Sequence, residues 1–329
     1  MQRCVSILLS ALCLVAAATQ AQAQDKYPVR PIKVVVPYAP GGAVDIVARI
    51  VTDEMRQTLG QPFIIENKPG AFGILGLEEV ARAKPDGYTL MFGNNNANVI
   101  TPILYPKKMT INVDKDIVPV ARVADLPGFL IATRKNFPPG TFAEFVAYAK
   151  QNPGKVRFSS VGVGSFPQYD MEILARRAGL DLVHIPNKAG AAGMLNDLVS
   201  GDAQVAFLNA ATPAPMIRAG QLRPLAAITT QRMPDYPDVP TLTELGFPGI
   251  GTVQWLAIFA PNGIPQAALD VIHKAAVAAV ATPAVLEKFK AQSLRAAASA
   301  SPAEAKAFVA SEFALWRKVT DEVRIELPD

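Results

Sequence analysis

The 329-residue chain is half apolar by composition and carries 32 basic against 28 acidic side chains, a formal charge of +4. Charge so nearly balanced, with no run of five like charges, excludes the concentrated basic face that nucleic-acid binding requires. Two cysteines in a chain this long exclude a small disulfide-stapled scaffold; the length is enough for a sizeable core and suggests two domains rather than one.

The first 23 residues read as an export signal. Arg3 supplies the positive start, Ile7 through Ala18 the apolar core, and Ala21-Gln22-Ala23 the small-x-small cleavage pattern. The apolar run falls short of the roughly 20 residues that span a bilayer, and Leu12 before Cys13 is too bulky for a lipid-attachment site. Cleavage removes Arg3, Cys4 and Cys13, so the mature chain is expected to start near Gln24 as a soluble protein without a thiol.

Strands and helices then alternate. Ile32–Val36 is a buried strand, followed by a helix striped with Val44, Val47, Val51 and Met55 and stopped at Gly60. Phe63–Glu66 is a strand, Ile74–Ala83 a helix, and Tyr88–Phe92 a strand ending in Gly93-Asn94-Asn95-Asn96. A second set starts with the strand Phe129–Thr133 and a helix opened by the capping box Thr141-x-x-Glu144. Strands follow at Val156–Ser159, Leu182–Ile185, Gln204–Leu208 and Leu225–Ile228, with a helix around Met171–Ala178. Thr241-x-x-Glu244 is a further capping box; Trp255–Phe259 returns as a strand, and helices close the chain near Gln266–Ala281, Pro283–Lys290 and Pro302–Val319. The alternation predicts α/β architecture, each domain a mainly parallel sheet flanked by helices.

Two loops stand out. Pro40-Gly41-Gly42 follows the first strand and aims a helix N-terminus at the strand's carboxyl end, where open α/β sheets hold ligands; its glycines leave main-chain N–H groups uncovered for an anion. Asp45, in the first helical turn, either complements the helix dipole, worth about 0.3–1 kcal/mol, or receives a ligand ammonium or hydroxyl. Ser160-Val161-Gly162-Val163-Gly164-Ser165 is the second loop, a neutral anion nest or a plain turn. Pro167 where a dinucleotide fingerprint needs glycine, and the missing Lys-Ser or Lys-Thr, rule out both phosphate motifs. Asn94, Asn95 and Asn96 make a polar pocket lip or an ordinary turn.

Catalytic and metal chemistry find little footing. His184 and His273 are the only histidines, and both sit in apolar segments. No zinc spacing occurs, and Asn112-x-Asp114-x-Asp116 lacks the glycine and glutamate of a calcium loop, so no metal or cofactor is expected. A Ser165–His184–Asp triad stays open, with no Gly-x-Ser-x-Gly elbow to recommend it.

Taken in order, Val36-Pro37-Tyr38-Ala39-Pro40-Gly41-Gly42, Asp45-Ile46-Val47-Ala48-Arg49, Leu59-Gly60-Gln61-Pro62, Glu66-Asn67-Lys68-Pro69-Gly70-Ala71, Pro85-Asp86-Gly87-Tyr88-Thr89-Leu90, Ala219-Gly220-Gln221-Leu222-Arg223 and Pro237-Asp238-Val239-Pro240-Thr241 give the chain its family likeness. It resembles the Bug-type (TctC-like) solute receptors of tripartite tricarboxylate transporters over nearly all of the mature length. The resemblance implies a two-domain periplasmic binding protein of the type II-like kind, with a hinge of two crossing strands, that closes on a small carboxylate and passes it to the membrane subunits of a transporter. The cargo would be a dicarboxylate, an acidic amino acid or an aromatic or monocarboxylic acid, and the receptor a monomer without catalysis. Domain 1 is expected at 24–123 and 253–329, domain 2 at 124–252. Carried over by position, the pocket comprises Tyr38, Gly41, Gly42, Ala43, Asp45 and Asn94 on one side, and Ser160, Gly164, Ser165, Asn187 and Asn209 on the other. Phe72 in place of the usual glycine, Asn187 in place of tyrosine, Leu208 in place of aspartate, and Phe166-Pro167 depart from the family pattern and bear on ligand identity. Alternative readings are a sensor receptor that hands its ligand to a signalling protein, and an exported hydrolase using Ser165.

Overall fold

The computed structural model describes residues 27–187 and 189–327; the expected signal segment, with both cysteines, lies outside them. The described strands are β1 (Ile32–Val36), β2 (Phe63–Asn67), β3 (Thr89–Asn94), β4 (Ile117–Leu126), β5 (Gly128–Thr133), β6 (Val156–Ser160), β7 (Leu182–Pro186), β8 (Val205–Asn209), β9 (Leu222–Ala227), β10 (Gln254–Pro261) and β11 (Arg295–Ala296). They form two sheets, in the orders β11-β4-β10-β3-β1-β2 and β7-β6-β8-β5-β9. The two-domain α/β fold holds, but each sheet is mixed where a mainly parallel one was expected. β1 runs parallel to β2 and β3, and β6 to β7 and β8, whereas β10 is antiparallel to β3 and β4, and β5 to β8 and β9. The reason is connectivity. Parallel neighbours need a crossover connection, usually a helix; β5 instead follows β4 directly from the other sheet, and β10 enters by the return segment that ends β9's lobe.

Helices cover both faces of each sheet. On one face of the first lie α1 (Ala43–Leu59), α6 (Gln266–Ala281) and α7 (Pro283–Ala291), whose Val47, Val51, Met55, Ile272 and Phe289 are buried together with β1 and β4. On the other lie α2 (Ile74–Ala81) and α8 (Pro302–Glu322), with Leu77, Val80, Phe313 and Trp316. The second sheet is covered by α3 (Phe142–Gln151) and α4 (Phe166–Ala178) on one face and α5 (Gly190–Ser200) on the other. The Thr141–Glu144 capping box forms as the sequence predicts. The Thr241–Glu244 hydrogen bonds also form, but a turn follows instead of a helix; Gly246 and Pro248 stop propagation within one turn.

The chain passes between the sheets twice. β4, whose apolar run is interrupted by Pro119, Arg122 and Asp125, carries no element expected from the sequence and leads through Pro127 directly into β5. A register shift opposite Pro119 admits the proline, while Arg122 and Asp125 pair with each other. The return runs through Thr252 into β10. Here α4 takes hold: Asp170 Oδ2 accepts from the Thr252 amide at 2.7 Å and Oδ1 from its hydroxyl at 2.8 Å. α4 also packs on both lobes. Tyr169 meets Trp316 edge to face at 5.8 Å, while Met171 and Leu174 join the core of the second sheet.

The crossings can be probed at two residues. A Cβ on Gly128 would lie 2.3 Å from the Leu208 carbonyl oxygen and 2.9 Å from Asn209 Cα, both main chain of the neighbouring strand. Gly128→Ala is therefore expected to destabilise by about 1–3 kcal/mol, seen as a lower urea midpoint. Burial pushes the Asp170 carboxyl up to about 7 against the Thr252 and Gly251 donors that favour its charged form. Its folded value exceeds its unfolded one, so the bound proton adds stability at low pH, and that contribution fades as pH rises from about 4 through about 7. Asp170→Asn should flatten this part of the unfolding-midpoint profile against pH.

Candidate functional site

The β1–α1 loop presents main chain and turns its charge inward. Asp45 is 2% exposed. Its Oδ2 accepts from the Gly41 amide and from Arg49 Nε, and its Oδ1 from Arg49 Nη2 and Asn67 Nδ2, all at 2.9 Å. Burial alone would raise its pKa; the Arg49 guanidinium, the Gly41 amide and Asn67 outweigh that and hold the carboxyl below its ordinary value. Asp45 thus fixes the loop from behind, and neither of its oxygens is spare for a ligand. Gly41 needs its glycine at φ +82. Gly42, the N-cap of α1, sits at φ −74 and makes no side-chain cap. The N–H groups of Ala43, Val44 and Asp45 have no acceptor within the helix, as at any helix start, and no cap takes their place.

Beside this loop, Tyr38 Oη donates to Asn94 Oδ1 at 2.7 Å, and the Ala97 amide donates to the same oxygen. Burial pushes Tyr38 up to about 12, so it stays a neutral donor. Asn95 is fully buried with no partner for either amide atom, and Asn96 Oδ1 is also unpaired; buried amides of this kind are normally met by ordered water or a bound polar group. Phe72 lies at φ 58, ψ 26, a left-handed backbone that costs a bulky residue about 1–3 kcal/mol and that glycine adopts freely. Its carbonyl accepts from the Thr101 hydroxyl at 3.0 Å, and its ring stacks on Tyr105 at 5.0 Å and 7°.

The facing loop, between β6 and α4, is also tied down by its own side chains. Ser160 Oγ accepts from the Gly162 amide and lies 2.6 Å from His184 Nε2. Ser165 Oγ donates to the Gly162 carbonyl at 2.7 Å, and the Gly164 amide to Gln168 Oε1 at 2.9 Å. Asn187 donates to Asp197, which also accepts from Ser159, and Asn209 Oδ1 accepts from the amide and hydroxyl of Thr212. His184 stacks on Phe158, and burial pushes it down to about 4, leaving it neutral. Since His184 bonds Ser160 while Ser165 bonds a carbonyl, the Ser165–His184 relay is not assembled. His273 lies in α6 against the Ser299 carbonyl.

The structure therefore gathers the expected residues into two clusters, one per lobe; of that set Gly164 meets the opposite lobe, and the other contacts across come from residues outside it. Tyr105 Oη donates to the Val163 carbonyl at 3.3 Å. A Cβ on Gly164 would fall 2.7 Å from Leu104 Cδ1, and one on Gly162 would fall 3.5 Å from Phe72 Cε1. Tyr105 carries no motif, so the sequence offered no signal for it; Asn67 and Arg49 lay within quoted motifs but had no partner until the fold supplied Asp45. Two open cavities, of about 320 Å³ beside Pro127 and about 490 Å³ beside Arg56, lie away from these loops.

Residues 47–325 match the family described as "Tripartite tricarboxylate transporter family receptor". The chain is 34% identical over 317 residues to the "UPF0065 protein in tcbD-tcbE intergenic region" of a Pseudomonas species, covering 96% of this chain and 93% of that one. It is 31% identical over 303 residues to Protein BugT of Bordetella pertussis, covering 92% of each. Among solved structures, R. palustris Rpa4515 with adipate is 29% identical, with a TM-score of 0.84 over 91% of this chain and 99% of that one. MatC from Rhodopseudomonas palustris with bound malate is 33% identical, with a TM-score of 0.78 over 89% and 99%.

Asp45→Ala removes four hydrogen bonds behind the β1–α1 loop and leaves Arg49 only the Asn67 Oδ1 and Asn67 only the Tyr38 carbonyl as acceptor. A loss of about 1–3 kcal/mol in unfolding free energy is expected. Phe72→Gly relieves a backbone strain of about 1–3 kcal/mol and forfeits a ring contact of about 0.5–1.5 kcal/mol; the unfolding free energy of the unliganded protein should stay within about 1–2 kcal/mol of wild type.

Proposed function

Because the chain belongs to the tripartite tricarboxylate transporter receptor family of Bug/TctC-type periplasmic solute-binding proteins, we propose that it captures a small carboxylate between its lobes and delivers it to the membrane subunits of such a transporter, without catalysis. The observation that carries this reading is the uncapped start of α1 behind Gly41 and Gly42, held in place by Asp45. Donors already oriented by the fold bind an anion with little further ordering. The adipate of Rpa4515 and the malate of MatC, bound in proteins of the same fold, support a carboxylate as the anion.

In this reading the pocket is formed by Tyr38, Gly41, Gly42, Ala43, Asp45 and Asn94 with Ser160, Gly164, Ser165, Asn187 and Asn209. Most of those side chains shape the loops, and main-chain N–H groups do the binding. The moving lobes in this reading are residues 24–123 with 253–329 and residues 124–252. Ligand shifts the open–closed balance by its excess affinity for the closed form, and the membrane partner reads that form. The chain acts as a monomer, exported to the periplasm by its cleavable signal peptide.

Thermal unfolding against a panel of organic acids tests the proposal. A bound acid at 100 times its Kd adds about 2.7 kcal/mol, a shift of several degrees. Gly42 has ordinary φ, and a Cβ there would meet only the Ala39 carbonyl oxygen at 3.6 Å, so Gly42→Val should fold normally and lose the shift. An undiminished shift in that variant would remove the α1 N-terminus from the site.

A further inference from the structure

The fold gives no reason for an aromatic residue at position 72. The backbone there is in glycine's region, the side chain is 41% exposed, and the ring belongs to neither core cluster of its lobe. It is nevertheless held firmly, stacked flat on Tyr105 with its carbonyl pinned by Thr101. Its Cε1 reaches to 3.5 Å from the Cβ position of Gly162 in the opposite lobe, and Tyr105 hydrogen-bonds the next residue, Val163. A flat wall of two rings thus confronts a loop whose Gly162 and Gly164 carry no side chain.

We propose that the Phe72–Tyr105 pair is the selectivity wall of the cleft, and that it favours a monocarboxylate with a flat aromatic body over a short aliphatic dicarboxylate. The proposal rests on the carboxylate-capture reading above. One end of the cargo would meet main-chain donors at the α1 start, and its body would lie against the rings, where offset or edge contact is favourable. A second carboxylate placed there would lose its water, and the ammonium beside the rings, Lys108 Nζ, lies 5.4 Å from the Tyr105 ring centroid and is already drawn to that ring. Arg49 of α1 is engaged by Asp45, and the Ser160, Ser165 and Asn187 side chains are bonded within their own lobe.

The test is titration calorimetry with benzoate, phenylacetate and cinnamate against succinate, malate and adipate, on wild type, Phe72→Gly and Tyr105→Phe. The best aromatic acid should bind wild type at least tenfold more tightly than the best dicarboxylate. Phe72→Gly should lower that ratio at least tenfold while the unliganded protein unfolds near the wild-type temperature. Tyr105→Phe keeps the ring without its hydroxyl and should keep the ratio. A dicarboxylate preferred by wild type, or a ratio unchanged in Phe72→Gly, overturns the wall while leaving carboxylate capture standing. A ratio lost in Tyr105→Phe assigns selection to the Val163 hydrogen bond and overturns it as well. Failure of every acid to bind wild type brings down the capture reading and the wall together.

Discussion

Helix α4 is the constraint on which the molecule turns. Its start, at Phe166, carries the loop that faces the other lobe; one turn on, Tyr169 is buried against Trp316 of the C-terminal helix, and Asp170 beside it grips Thr252 at the second crossing. Met171 and Leu174, on the other side of the same helix, are core residues of the second sheet. A single rigid rod therefore couples the cleft, the crossing and both hydrophobic cores. Burying a carboxylate at Asp170 is unfavourable in itself, and the two Thr252 donors make it tolerable only where the chain crosses. The position of the cleft loop is in this way tied to the geometry of the hinge.

A second theme is where the polar side chains point. Asp45, Ser160, Ser165, Asn187 and Asn209 all direct their hydrogen bonds back into their own lobes. In the proposed reading the cleft is left to main-chain groups, to the unpaired amides of Asn95 and Asn96 and to the rings of Phe72 and Tyr105. That division suits a receptor. Main-chain donors anchored from behind are pre-ordered and uncharged, so they grip an anion without the desolvation penalty that an unpaired buried cation would carry.

The strand–helix alternation and the stripe Val44–Val47–Val51–Met55 were legible because apolar spacing reports burial directly. β4 was not, since Pro119, Arg122 and Asp125 break its pattern and only a bulge and an internal ion pair make them acceptable in a strand. The mixed sheets were missed for a related reason: local alternation reveals helical crossovers, and nothing local marks a chain entering from another domain. In the site, Gly41 and Gly42 were visible as a glycine pair after a strand. The inward turn of Asp45 was not, because Arg49 and Asn67 reach it only once α1 and β2 lie side by side. Phe72 was visible only as a departure; its meaning needed the left-handed backbone and the ring beneath it.

The proposed separation of gripping atoms from selecting atoms bears on how such receptors diversify. Any acid offers the same headgroup to an amide, so the loop behind Gly41 can remain unaltered while the lining opposite it is exchanged. Since Phe72 lies outside the cores, its replacement need not be compensated elsewhere in the lobe. A duplicated copy of this scaffold could acquire a new cargo through one or two codons and keep its docking shape from the first day.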